Sequence, residues 1–491
     1  MGRYWDISPI TAFMNRSKFY SSLLLLIVLN AIVKPVWIFG IDRQVQNITG
    51  VAEYGTYFSL LNLSIVFGFL LDWGVNNFVN RELAAKKIEL QQQLGSLLLL
   101  KLIFFVAYAI VVMAVGKLSN IKRWDILAGA IVIQFLTFLF LFLRNVVTAN
   151  QWFTTDAWLS VLDKTLMILV CGSVIVWPLV FGPMSIDKFV VAQIICTSFA
   201  VLVAAIILLS RRVSFARPSF RFFGRSIILS VLPFAVTLFL MSIHTRLDGF
   251  LLERLHHDGA HEAGIYAAGF RLLDACNMVG YLIASFLMPF VARQWTEGRP
   301  LQEIVVQARH LQLMFAITVS SITIVLAPGI QQLLYHRSDN YGVQILRWCL
   351  PALIGYGFTQ VYGTVMTATG RIRAFANFNL AAVIINITLN VLLIPKYGAF
   401  GCCISALGSQ LFLGLCTMVY VHKELRIAPD VRSLVFYVVT GFIICALLYG
   451  LLKASVNLSL LVLSAGCTAF LFMWLSRMIS PNSLLGFLKK Q

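Results

Sequence analysis

Long apolar runs separated by short polar segments dominate the chain. A helical run of about 20 apolar residues is as long as the hydrocarbon core of a bilayer is thick. Fourteen such runs can be counted, at residues 19–40, 54–76, 94–116, 126–149, 158–180, 189–209, 226–249, 264–290, 311–330, 350–368, 378–394, 401–421, 434–452 and 458–478. The segments between them are too short to fold as separate domains. The pattern therefore predicts an all-α polytopic membrane protein whose function resides between its helices.

Two of these runs begin alike, which indicates an internal repeat. Residues 53–57 read EYGTY and residues 262–266 read EAGIY, and each follows a helix with basic flanks and a polar loop. Equivalent helices are six positions apart along the chain, an even number, so the halves have the same orientation, an arrangement known from transporters. The predicted parts are an N-lobe of six helices (1–210), a basic linker (211–225), a C-lobe of six helices (226–425) and two extra helices (434–478).

Composition and charge distribution narrow the class of protein further. With 59% hydrophobic and 12% charged residues, the chain is too apolar for a soluble domain. The net charge of +18 does not indicate nucleic-acid binding, because most Lys and Arg residues fall in loops on the side of the N-terminus. That asymmetry is the positive-inside pattern and predicts cytoplasmic termini. The acid-free patch in residues 211–225 is expected to anchor this topology at anionic lipid headgroups.

Two of the apolar runs carry charges that a bilayer normally excludes. The seventh run contains His244, Arg246 and Asp248, and the eighth contains Arg271 and Asp274. An ionisable side chain at membrane depth costs about 2.5–3.5 kcal/mol on insertion scales, so it usually faces a bundle interior or a wet cavity. The two helices are therefore predicted to line a cavity. Further charges within or at the ends of runs are Lys34, Asp72, Lys101 and Arg144.

One segment resembles a known family. Residues 368–410 are similar to the corresponding region of the polysaccharide flippases in the multidrug, oligosaccharidyl-lipid and polysaccharide exporter superfamily. The residues that carry the resemblance form an Asn-rich helix, a Pro-Lys-Tyr-Gly turn and a glycine that opens the next helix: Asn386, Asn390, Pro395, Tyr397, Gly398 and Gly401. Residues 263–272 resemble the start of the family's eighth helix. The resemblance implies two six-helix lobes around a central cavity, two extra helices and alternating access.

The substrate class that the resemblance implies fits the basic residues. A lipid-linked sugar carries a polyprenyl diphosphate, and fixed Arg and Lys groups can replace the hydration that the diphosphate loses in the membrane. We expect Arg246 and Arg271 to bind the diphosphate. Alternatives remain open, because Asp274 lies on the same helical face as Arg271 and is placed to form an ion pair with it.

Three further basic residues are candidates for the cavity. They are Lys34, Lys101 and Arg144. Snorkelling to the membrane interface is an equally good interpretation of Lys34, and interfacial anchoring is the better one for Arg144. Lys101 lies deeper in its run, where an interfacial role explains it less well.

Acidic residues and one histidine are candidates for coupling transport to an ion gradient. They are Asp72, Asp248, Asp274 and His244. Each also has a structural interpretation, and the sequence does not identify the ion, proton or sodium, or whether one is used. No cofactor and no metal site are expected, because the nine cysteines lack metal-ligand spacing.

The most specific function that these patterns favour is a flippase of the bacterial inner membrane. It would move undecaprenyl-diphosphate-linked oligosaccharide units, for O-antigen, capsule or exopolysaccharide, from the cytoplasmic to the outer leaflet, alone or with a polymerase and export machinery. The alternatives are a flippase for lipid-linked peptidoglycan precursors and a cation-coupled multidrug antiporter. An enzyme is not expected, because no Asp-x-Asp pair, HExxH helix or Gly-rich phosphate loop occurs.

Overall fold

Helices make up nearly all of the part of the chain that the structure describes. The structure is a computed structural model and describes residues 16–73, 94–211, 213, 225–335, 339–428 and 430–476. Within these ranges no strand occurs. The helices are α1 (Arg16–Pro35), α2 (Arg43–Thr49), α3 (Val51–Val66), α4 (Leu94–Leu118), α5 (Trp124–Ala149), α6 (Phe153–Val176), α7 (Pro178–Phe181), α8 (Ile186–Ser210), α9 (Arg225–Leu255), α10 (Gly259–Thr296), α11 (Gln302–Leu334), α12 (Asn340–Cys349), α13 (Ala352–Ala368), α14 (Ile372–Glu424), α15 (Val431–Lys453) and α16 (Leu458–Leu475), with a π-helical segment at Val36–Asp42 and a 3₁₀ segment at Phe67–Leu71.

The helices agree with the predicted membrane spans. Among the described residues, 11 helical segments are long and apolar enough to cross a membrane. The 53-residue α14 contains two segments that meet at Gly398, and α13 and α16 coincide with two further apolar runs. Each of the fourteen predicted runs therefore overlaps a described helix, and the all-α polytopic class is confirmed. The predicted cytoplasmic termini lie outside the described residues.

The kink within α14 lies at the predicted Pro-Lys-Tyr-Gly turn. Gly398 has φ 52° and ψ −131°, a left-handed conformation that glycine adopts without steric cost. A Cβ atom at this position would lie 2.3 Å from a carboxylate oxygen of Glu262. That carboxylate accepts hydrogen bonds from the Ala399 amide and the Tyr341 hydroxyl, both at 2.7 Å. The first of these bonds satisfies a backbone donor that the kink removes from the helix.

The chain divides into two compact units. The first contains Met1–Asp42, Leu70–Ala109 and Ala128–Gly224, and the second contains Arg43–Phe69, Ile110–Leu127 and Arg225–Gln491. The helices α2 and α3 thus make their contacts within the second unit. The predicted lobes were drawn from the sequence repeat, whereas these units are defined by contacts between residues. The lobe boundaries therefore stay predictions. Most of the predicted linker lies outside the described residues.

Helices α3 and α10 approach each other at the two glycines that the repeat relates. A Cβ on Gly55 would lie 1.9 Å from the Ala260 carbonyl oxygen, and a Cβ on Gly264 would lie 2.0 Å from the Val51 carbonyl oxygen. In each case the carbonyl belongs to the residue four positions before the other glycine. The contact is therefore reciprocal, as expected for equivalent helices, and leaves no room for a side chain at either position.

Substitution of Gly264 is expected to destabilise the protein. In Gly264→Ala the new methyl group meets backbone, which cannot rotate away, so the two helices must separate; overpacking of this kind costs about 1–3 kcal/mol. The measurement is the thermal unfolding temperature in detergent. Gly466→Ala is the matched control, because nothing lies within 4 Å of a Cβ at Gly466 in α16. Equal unfolding temperatures for the two variants would contradict the contact.

Candidate functional site

Arg246 of α9 forms an ion pair with Asp274 of α10. One terminal nitrogen of the Arg246 guanidinium donates to both carboxylate oxygens of Asp274, at 3.0 and 3.1 Å. The Phe270 ring lies against the same guanidinium, 5.1 Å from its centre. The Arg246 side chain is 26% exposed and the Asp274 side chain 42% exposed. The structure thus pairs Asp274 with Arg246 and not, as the alternative drawn from sequence spacing had it, with Arg271.

Arg271 lies in a buried hydrogen-bond network that joins three segments. Its guanidinium donates to Gln46 Oε1 of α2 at 2.9 Å and to the hydroxyl of Tyr335, just beyond α11, at 2.8 Å. The Tyr54 ring lies 4.9 Å from the guanidinium. Gln46 Nε2 in turn donates to the Gly264 carbonyl at 2.8 Å. Arg271 therefore holds α2, α10 and the end of α11 together beside the glycine contact.

A cavity of about 830 Å³ opens beside this network. Its described lining includes the carboxylates of Glu53 and Asp339, the imidazole of His261 and the amide of Gln331. No Lys or Arg belongs to that described lining. The cavity is large enough for a drug-sized molecule, but its charge does not favour a diphosphate.

A second cavity, of about 220 Å³, lies in the second unit; we call it the polar cavity because most of its lining residues have polar side chains, although most of the surface that they present to it is apolar. Its lining comes from α9, α10, α13 and α14: Met241, His244, Thr245, Tyr281, Ala284, Met288, Tyr356, Thr359, Gln360, Gly363, Thr364, Thr367, Phe375, Asn379, Gln410 and Leu413. Tyr281 and Tyr356 both lie within electrostatic range of Arg246 and Asp274. The ion pair is thus a neighbour of the polar cavity.

Asp248 and His244 belong to one buried hydrogen-bond network. Asp248 accepts from Asn390 Nδ2 at 2.7 Å and from the Tyr266 hydroxyl at 3.4 Å. Asn390 also donates to Asn386 Oδ1 at 3.1 Å. In the described part of the chain, no basic side chain forms an ion pair with Asp248. Burial of an ionised carboxylate without a cationic partner is costly in a low-dielectric interior.

The network continues from Asn386 to His244. Asn386 Nδ2 donates to Ser409 Oγ at 3.3 Å, and the same oxygen lies 2.9 Å from His244 Nε2. The amide of Gln410 lies 3.5 Å from His244 Nδ1. Two of the predicted ion-coupling residues, Asp248 and His244, are therefore connected through side chains of α14. Sequence reasoning missed Ser409 and Gln410, which carry no charge and stand in an apolar run.

The remaining candidates lie in the first unit, where Lys101 is ion-paired. The Lys101 ammonium lies 2.8 Å from Asp72 Oδ1, and the two side chains are 2% and 11% exposed. It also donates to the Leu71 carbonyl at 3.3 Å and lies 5.6 Å from the centre of the Phe142 ring. The pair joins α4 to the end of the 3₁₀ segment and has the contacts of a structural ion pair.

Arg144 and Lys34 lie near each other in the first unit. Arg144 forms a two-bond ion pair with Asp156 of α6, at 2.7 and 3.1 Å. Lys34, at the end of α1, is half-buried and lies within electrostatic range of Arg144, Asp163 and Lys164. The sequence analysis did not single out Asp156. A carboxylate near the start of a helix ordinarily stabilises the helix by interacting with the positive end of its dipole.

The comparisons with known proteins agree with this architecture. The family model MatE matches residues 233–392. The structure of the lipid II flippase MurJ in an inward closed conformation aligns with 92% of this chain and 99% of its own, with a TM-score of 0.72 and 14% identity. The chain has the fold of the MOP transporters. Two further structures share this fold. An inward-facing multidrug resistance MATE transporter of the MOP superfamily aligns with 82% of this chain and 98% of its own, with a TM-score of 0.60 and 13% identity. The Vibrio cholerae MATE transporter VcmN in a bent form aligns with 84% of this chain and 97% of its own, with a TM-score of 0.54 and 16% identity.

The matched segment of this MOP fold contains much of the candidate site. Residues 233–392 begin within α9 and end within α14. They include both members of the Arg246–Asp274 pair as well as Asp248 and Asn390. A search of curated protein sequences finds no match. At these identities the similarity establishes the fold, and the substrate has to be argued from the site.

Proposed function

We propose that the protein is a flippase that moves undecaprenyl-diphosphate-linked oligosaccharide units to the outer leaflet of the bacterial inner membrane by alternating access. The observation that carries the proposal is Arg246, a partly exposed guanidinium on an apolar helix beside a polar cavity. A guanidinium binds phosphate oxygens through paired, charge-assisted hydrogen bonds. Such a group lowers the cost of bringing a diphosphate into a membrane.

The Arg246–Asp274 pair supports this role because it can open. Both side chains are partly exposed, so neither is locked by burial. Asp274 neutralises Arg246 when no anion is present, and a diphosphate, with its greater charge, competes for the same donors. Arg271, which was expected to share the diphosphate, is committed to Gln46 and Tyr335. We therefore propose Arg246 as the primary contact and leave Arg271 as a secondary one.

The network around Asp248 supports ion coupling. Asp248 has an amide and a hydroxyl as partners and no cation in the described residues. The Oδ1 atom of Asn390, next to it, is buried and has no hydrogen-bond partner. A proton on Asp248, or a sodium ion between the two oxygens, would satisfy both groups. We propose this network as the coupling site, with Asp72 and Asp274 in ion pairs instead.

Removal of the Asp248 charge is expected to uncouple transport. In Asp248→Asn the side chain no longer needs a proton or cation, so an imposed proton or sodium gradient should no longer accelerate translocation in proteoliposomes. Asp125→Asn is the matched control, because that carboxylate is exposed and pairs with its neighbour Arg123. Gradient-driven acceleration that persists in Asp248→Asn would rule out this site.

Two alternatives remain proposals. A flippase for lipid-linked peptidoglycan precursors is supported by the extensive alignment with the lipid II flippase, and its substrate would place the same diphosphate at Arg246. A multidrug antiporter is supported by the MATE structures, but a partly exposed guanidinium beside the cavity does not favour an organic cation.

The test of the proposed function is translocation by the purified protein in proteoliposomes. Vesicles receive a fluorescent undecaprenyl-diphosphate-linked disaccharide or a lipid-linked peptidoglycan precursor, and translocation is followed by quenching from outside. Faster loss of signal than in protein-free vesicles supports a flippase, and the two lipids distinguish the substrates. No translocation of either lipid, together with efflux of ethidium under a proton or sodium gradient, would establish the antiporter instead.

A further inference from the structure

We propose that the polar cavity binds an uncharged sugar ring of the lipid-linked substrate, the ring next to the diphosphate. This inference rests on the proposed function and adds the chemical class of the sugar. It is drawn from two unpartnered polar atoms, from the charge and size of the lining, and from the neighbouring ion pair.

Two buried polar atoms of the lining have no hydrogen-bond partner in the described structure. They are Oγ1 of Thr359 in α13 and Oδ1 of Asn379 in α14. Thr359 is 8% exposed and Asn379 is fully buried. Burial of a polar atom without a hydrogen bond costs about 1–3 kcal/mol, so such atoms normally have a partner. Both line the same cavity, and a group within it that donates a hydrogen bond would satisfy them.

Thr359 differs from the other threonines of its helix. Thr364 and Thr367 donate to carbonyl groups one turn earlier, Gln360 O and Gly363 O, at 2.5 and 2.8 Å. This internal bond is the usual way in which a helical threonine satisfies its hydroxyl in an apolar setting. Thr359 does not make it, and its hydroxyl remains available to the cavity.

Most of the lining surface is apolar, and the described lining residues carry no fixed charge. None of the described lining residues is Asp, Glu, Lys or Arg. A sugar acid would bring a carboxylate into this cavity without a basic partner, which is costly in a low-dielectric interior. A neutral hexose instead offers hydroxyl groups that both donate and accept. The aromatic side chains of Tyr281, Tyr356 and Phe375 supply apolar surface for the faces of such a ring.

The size and position of the cavity favour one ring rather than a chain. Its volume of about 220 Å³ is below the roughly 300–1,000 Å³ of sites for drug-sized ligands. Gln360, whose amide is held by Gln312 at 2.9 Å and Asn277 at 2.7 Å, forms part of its wall. Tyr281 and Tyr356 connect the cavity to the Arg246–Asp274 pair. A ring bound here would therefore be the one attached directly to a diphosphate at Arg246.

The test is equilibrium binding of three radiolabelled lipids to the full-length protein in nanodiscs. The lipids are a polyprenyl diphosphate without sugar, the same lipid with glucose and the same lipid with glucuronic acid. Wild-type protein should bind the glucose lipid at least about tenfold more tightly than the sugar-free lipid, as expected for two added hydrogen bonds. The glucuronic acid lipid should bind more weakly than the glucose lipid.

Variants assign the preference to the two unpartnered atoms. Thr359→Val and Asn379→Leu keep the side-chain shape and should each remove most of the glucose preference, with affinity for the sugar-free lipid unchanged. Thr359→Ser keeps the hydroxyl and should retain the preference. Thr417→Val is the matched control, because its hydroxyl donates to Leu413 O within α14 and it is not among the lining residues of the cavity, and it should behave as wild type.

Two kinds of result would overturn the inference. If the sugar-free and glucose lipids bind equally, if the glucuronic acid lipid binds most tightly, or if Thr417→Val loses as much preference as Thr359→Val, the inference is wrong while the proposed function stands. If none of the three lipids binds, the proposed function itself fails and the inference fails with it.

Discussion

Replacement of Arg246 by alanine is expected to lower translocation of a lipid-linked sugar by about tenfold to hundredfold. The change removes the guanidinium that is proposed to bind the diphosphate, and a hydrogen bond to a charged group contributes about 1.5–3 kcal/mol. Insertion and folding should be little affected, because the Arg246 and Asp274 side chains are partly exposed and exposed ion pairs contribute little to stability. The measurement is the initial rate of lipid translocation in proteoliposomes, normalised to protein.

Two further variants give this prediction its controls. Arg246→Lys keeps the charge but loses the planar pair of donors, and it should fall between wild type and Arg246→Ala. Arg293→Ala removes a different ion-paired arginine, which lies exposed near the end of α10 and bonds to Glu297. This variant should transport at the wild-type rate. A wild-type rate for Arg246→Ala would show that the diphosphate is bound elsewhere, and the double variant with Arg271→Ala would then identify whether Arg271 replaces it.

Replacement of Asp72 by asparagine is expected to destabilise the protein by about 3–5 kcal/mol. The Lys101 ammonium is 2% exposed, and removal of one partner of a buried pair leaves the other charge uncompensated in a low-dielectric interior. The expected readout is a large fall in the thermal unfolding temperature in detergent.

The compensating double variant separates a structural from a functional role of this pair. Asp72→Leu with Lys101→Met replaces both charges by apolar groups, and replacement of a buried ion pair in this way is often neutral or stabilising. It should therefore restore both stability and transport. If stability returns and transport does not, Lys101 or Asp72 takes part in transport, as the sequence-based hypotheses held.

The sequence predicted the helices well because their signal is local. Each of the fourteen apolar runs is long enough to report a span by itself. Of the charged positions within the runs, Asp248 shares a hydrogen-bond network with His244. An apolar run does not show how its helix is rotated about its own axis. This rotation decides which side chains of neighbouring helices come into contact.

The partners of the charged residues show this limit. Spacing along α10 pointed from Asp274 to Arg271, but Asp274 reaches Arg246 on α9, because the faces of two helices meet there. Arg271 instead reaches Gln46, which lies in α2, beyond the end of the first predicted run. The polar cavity was unpredictable for a related reason: Thr359 and Gln360 carry no charge and resemble ordinary polar residues of a membrane helix.

The reciprocal contact of Gly55 and Gly264 has a consequence for how the two halves of the chain are related. Two equivalent helices that touch at the same residue, each against the same carbonyl of the other, have the geometry of an isologous interface, the kind that joins two identical subunits about a twofold axis. Here both surfaces belong to one polypeptide. The two halves cannot diverge independently at this point, since a side chain added to either one occupies space that both require.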